Sequence, residues 1–79
     1  MNLNSPFTLA DAPLGRFVRI SGIQSHPDVC VRLRELGFCE NAIVRCLNRG
    51  DDNVICEVCN TRLGLNNRVA STIFVSTFE

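Results

Sequence analysis

Lysine is absent from this 79-residue chain, so every cation is one of eight Arg. Those eight are matched by eight Asp and Glu, for a formal net charge of +0 and a pI near 6.5. A chain without net charge lacks the long-range field that draws proteins to nucleic acid or anionic lipid, so neither is an expected partner. Long apolar runs are missing as well. The longest, such as Val29-Cys30-Val31 and Ile73-Phe74-Val75, hold three residues, against ~18 for a transmembrane helix. Membrane insertion is therefore not expected. Nor does the N-terminus show a basic stretch followed by an apolar one, and the five cysteines are an odd number. Both features point to thiols kept reduced in a cytoplasm rather than to a disulfide framework.

No G-x-x-x-x-G-K-[ST], G-x-G-x-x-G, D-x-D-x-D-G or H-E-x-x-H motif is present, which excludes phosphate cradles, EF-hands and zincins at motif level. Internal repeats and low-complexity stretches are absent too. No enzymatic activity is expected, GTP hydrolysis included.

What is present is 46% apolar residues, enough for one small core. The length allows a single domain, 1–79, with residues 1–6 as a loose polar lead-in ending at Pro6. A chain this short buries only about 60% of its unfolded surface. Phe7, Leu9, Ala12 and Leu14 form a short apolar stretch punctuated by Pro13 and Gly15. Alternation over Phe17–Ile23 predicts a first strand. Val29, Leu33 and Leu36 then fall at i, i+4 and i+7, predicting a helix over Ser25–Gly37 with Pro27 in its first turn, His26 or Ser25 as cap and Gly37 as terminator. Strands follow at Ala42–Arg49, Val54–Cys59, Arg62–Leu65 and Ile73–Ser76. They are joined by a Gly50–Asn53 hairpin, a Cys59-Asn60-Thr61 turn and a helical turn capped by an Asn near 66. The expected architecture is mainly β with short helices: a small five-stranded barrel with a helix inserted after the first strand.

The run Arg32-Leu33-Arg34-Glu35-Leu36-Gly37-Phe38, then Ile43–Leu47, Leu63-Gly64-Leu65 and Ala70-Ser71-Thr72-Ile73-Phe74-Val75, resembles the FeoA family in order and spacing. With Leu9, Ala12 and Gly15 in front of the first strand, the resemblance extends from about residue 7 to residue 78. It implies an SH3-like fold and an accessory role in bacterial ferrous iron uptake. The implied partner is a FeoB-type transporter, a membrane GTPase, whose cytosolic part the chain would dock on and modulate from a cytoplasmic or inner-membrane-peripheral position. The same fold also occurs at the C-terminus of iron-dependent repressors. Two departures stand out: Cys39-Glu40-Asn41 and Cys59-Asn60 occupy turns where the family favours glycine, and Asn41 and Asn60 are suited to the left-handed conformation required there.

A helix lying over a barrel leaves a cleft, here expected to be rimmed by Leu33, Leu36, Phe38 and Leu65 as a partner-binding surface, with part of that set filling the core instead. The alternative reading is a small transition-metal-binding or metal-sensing domain. Cys56-Glu57-Val58-Cys59 is a C-x-x-C, and His26 is the sole histidine. Two thiolates do not close a tetrahedral site, and residues i and i+3 of a strand face opposite sides. Cys56 therefore reads first as a core residue and Cys59 as a turn residue, with no cofactor required and weak Fe or Zn binding, or a site shared between self-associated chains, as the alternative. His26 with Cys30 at i, i+4, and the hairpin carboxylates Asp51, Asp52 and Glu57, read as a helix cap and a solvated loop.

Overall fold

The computed structural model describes residues 7–77; the expected lead-in at residues 1–6 lies outside them. The strands are β1 (Phe7–Thr8), β2 (Phe17–Ile23), β3 (Ile43–Arg49), β4 (Asn53–Val58), β5 (Thr61–Asn66) and β6 (Ile73–Thr77). Helix α1 (Pro27–Glu35) separates β2 from β3, α2 (Asn67–Ala70) separates β5 from β6, and a 3-10 turn at Leu9–Asp11 follows β1. All the strands join one antiparallel sheet in the order β1-β6-β2-β3-β4-β5. The expected five strands thus become six. Phe7 and Thr8 pair with Val75 and Phe74, a ladder too short to show any period in sequence.

Strand alternation sets the inner face: Val18 and Ile20 from β2, Val44 and Cys46 from β3, Val54, Cys56 and Val58 from β4, and Ile73 and Val75 from β6 are all buried. Leu9, Ala12, Leu33, Phe38, Leu65 and Ala70 complete the core, which among the described residues contains no buried polar or charged side chain. Bulges between Ile20 and Gly22 in β2 and between Cys46 and Asn48 in β3 bend the sheet around this core.

The helix expected over 25–37 is shorter, with His26 at the N-cap and Leu36 at the C-cap; the His26 side chain makes no capping bond. Its stop is a Schellman motif. Phe38 N–H donates to the Leu33 carbonyl at 2.9 Å and Gly37 N–H to that of Arg34 at 3.0 Å, with Gly37 at φ 107°. That reversal swings Phe38 into the core beside Leu33. At α2 the Asn66 Oδ1 accepts from Val69 N–H at 2.9 Å, as the Asn cap predicts.

Candidate functional site

Of the four residues expected to rim a cleft, Leu33 (3% exposed), Phe38 (0%) and Leu65 (7%) are core residues. Phe38 is turned inward by the Schellman stop, and Leu65 faces the core opposite buried Val54. Only Leu36, 45% exposed at the C-cap of α1, is surface. A cleft lined by all four is thus replaced by separate exposed apolar side chains. Val31 lies on α1 with Leu36, while Leu14 and Phe17 lie at the entry to β2. Sequence reasoning passed over Leu14, Phe17 and Val31 as surface features, because a strand or helix pattern marks which residues alternate and not which end of an element is left uncovered.

Phe17 also begins a row across the outer face of four strands. It pairs with Arg45 on β3, Arg45 with Glu57 on β4, and Glu57 with Arg62 on β5. The Arg45 guanidinium lies 4.6 Å from the Phe17 ring centroid, and its Nη2 donates to Glu57 Oε1 at 2.5 Å. Aromatic, cation and anion therefore form one strip in which Arg45 serves both neighbours. Glu57, considered above with the hairpin carboxylates, is thus an ion-pair partner. Asp51 and Asp52 are exposed at the hairpin tip, where their carbonyls accept from Asn67.

The residues of the metal reading are not brought together. Cys56 points into the core, Cys59 is exposed in the turn, and His26 is exposed at the start of α1, in a shallow surface groove with Gln24, Ser25, Pro27 and Thr72. Cys30 Sγ donates to the Ser25 carbonyl at 3.5 Å and has no contact of that kind with His26. Among the described residues of one chain, no three of His, Cys, Asp and Glu are grouped to hold a metal ion. The sulfur partner of Cys56 is instead Cys46, 3.9 Å away and equally buried. Cys46 in turn donates to the Leu9 carbonyl at 3.5 Å. The hydrogen bond from Cys56 holds the Cys46 thiol below its usual range, with burial opposing and the Arg49 guanidinium assisting. The same bond, together with burial, pushes the Cys56 thiol far up.

The sequence profile of the FeoA domain matches residues 7–77. No protein with a curated description matches the chain. Among solved structures, the zinc complex of Stenotrophomonas maltophilia FeoA, described as a prokaryotic SH3 domain protein and a candidate activating factor of ferrous iron transport, superposes with a TM-score of 0.77. It is 28% identical, over 87% of this chain and 88% of that one. FeoA from Chlorobium tepidum gives a TM-score of 0.84 at 20% identity, over 91% of this chain and 70% of that one. A manganese-dependent transcriptional repressor gives 0.85 at 15% identity, over 99% of this chain but 45% of that one, a likeness of fold. No helix among the described residues is long and apolar enough to cross a membrane.

Proposed function

The chain belongs to the FeoA family, an SH3-like domain family associated with ferrous iron transport, and from that premise we propose that it is a non-catalytic accessory protein docking on the cytosolic part of a FeoB-type transporter. Iron is then the cargo of the partner and not a ligand of this chain. The chain works in the cytoplasm, reaching the membrane surface through the transporter. The observation that carries this reading is the pair of half-exposed apolar side chains on α1, Val31 at 52% and Leu36 at 45%. Covering them would remove apolar surface from water, which favours a partner seated there. Leu36 is also the residue of the expected docking set that reaches the surface.

Titrating isotope-labelled protein with the G-protein domain of the transporter from the same organism tests the reading by NMR. Saturable shifts at Val31 and Leu36, weakened at least tenfold in Leu36→Asp, are expected. Shifts confined to Leu14 and Phe17 would move the docking face to the sheet, and no shifts at saturating partner would sink docking on that domain.

A further inference from the structure

Cys46 and Cys56 are a buried pair of thiols, 3.9 Å apart, that the docking reading leaves unused. Their placement depends on the β3 bulge. Near the hairpin tip Arg49 pairs with Val54 and Asn48 with Ile55, whereas beyond the bulge Cys46 pairs with Cys56 and Arg45 with Glu57. Continuing the tip register without the bulge would set Leu47 against Cys56 and leave Cys46 facing Glu57. The extra residue thus places sulfur against sulfur. The Cys46 carbonyl accepts from Gly15 N–H at 2.7 Å, so it points away from β4. Cys46 and Cys56 therefore occupy a non-hydrogen-bonded position of the ladder, where Cα atoms lie ~4.5 Å apart and side chains approach most closely. That spacing falls within the ~4.4–6.8 Å that a disulfide spans.

We propose that Cys46 and Cys56 form a reactive dithiol that closes to a disulfide across the β3–β4 ladder on reaction with a small-molecule disulfide. The Cys46 thiolate attacks one sulfur of the oxidant and expels a thiolate. Cys56, its proton passing to solvent or to that leaving group, then attacks Cys46 sulfur and expels the second. Two protein thiols and one oxidant disulfide become one protein disulfide and two small thiols, with two electrons passing to the oxidant. The hydrogen-bond order assigns the roles. The Leu9 carbonyl can only accept, so the single Cys46 hydrogen is committed to it and Cys56 is the donor in the sulfur contact. Once Cys46 ionises, Cys56 and Arg49 favour its thiolate, making it the attacking sulfur.

Closure also suits the surroundings better than a soft cation held by two thiolates. A bis-thiolate complex of a monovalent ion leaves net charge among apolar side chains, and a disulfide leaves none. Both thiols are buried, so the reaction requires local opening, and Leu9, whose carbonyl accepts from Cys46, follows a β1 whose ladder to β6 among the described residues is Phe7 and Thr8. Lightly paired elements are the first to open locally.

The test is exposure of the folded Cys30→Ser/Cys39→Ser/Cys59→Ser variant to oxidised glutathione, followed by mass spectrometry. Closure predicts a mass loss of about 2 Da and, after trypsin without reductant, a cross-linked pair of peptides containing Cys46 and Cys56. The unsubstituted chain, oxidised first and its remaining thiols then capped by N-ethylmaleimide before digestion, gives the same Cys46–Cys56 link, placed by fragmentation of the peptide pair, without relying on the variant's fold. An unchanged mass under native conditions, while the denatured chain oxidises, overturns the proposal. So does a glutathione adduct that persists on Cys46.

Discussion

At the β4–β5 hairpin, Cys59 and Asn60 turn the chain with φ of 52° and 63°, and Asn41 takes 71° in the turn before β3. Two consecutive left-handed residues are what a two-residue type I′ loop needs, and asparagine and glycine fill it at least cost. A cysteine there carries a Cβ penalty of roughly 1–2 kcal/mol, part of which a glycine replacement would return through its more flexible unfolded state. Cys59→Gly is therefore expected to stabilise the domain by about 1 kcal/mol and raise Tm by ~4–8 °C in a thermal melt followed by circular dichroism. A fall in Tm would instead assign the turn's stability to Cys59 Sγ, which lies 3.2 Å from where a Cβ on Gly37 would stand. The asparagines were readable as left-handed residues because their side chains make that choice locally. Cys59 was readable only as a turn residue, since nothing in a cysteine signals a positive φ.

Elements differ in how much of their cause lies within themselves. Helix α2 has only Asn67–Ala70, so its cap supplies a large share of its bonding. Asn66→Ala should cost ~1 kcal/mol, read as a lower urea midpoint with unchanged slope; an unchanged midpoint would mean that packing of Ala70 alone holds the turn. This cap and the stop at Gly37 were legible because both are written in a few adjacent residues. Strand β1 was not, since its existence depends on Val75 and Phe74, far along the chain. The docking set suffered in the same way: a stripe at i, i+4 and i+7 says that Leu33 and Leu36 share a face, but only the Schellman turn decides that Phe38 joins Leu33 inside. Equally, the C-x-x-C drew notice to Cys56 and Cys59, whereas the actual neighbour of Cys56 is set by a bulge that leaves no local signature.

For the molecule as a whole, stability of roughly 0.05–0.15 kcal/mol per residue leaves a small domain little reserve. Among the described residues, Phe38 is the largest fully buried side chain. Phe38→Ala should cost about 3–5 kcal/mol, enough to bring the urea midpoint close to zero or to unfold the chain at room temperature. A loss below about 1 kcal/mol would show that the core collapses around the vacancy, and that Phe38 is not its keystone. The family, and through it the fold, was legible because the ordered motifs extend over nearly the whole chain. The partner's footprint was not, because an interface is a property of two molecules.

Strand β6 lies between β1 and β2 in the sheet, although it follows every other strand along the chain. During synthesis, β2, β3, β4 and β5 can zip together as they emerge, while β1 waits without its partner and β2 keeps one edge unpaired. Val18 must meet Thr77 and Phe7 must meet Val75 before the sheet is complete. Such distant pairings are entropically slow to close. The nascent domain therefore stays open until its last strand clears the ribosome, and only then are Leu9 and the thiol of Cys46 sealed from solvent.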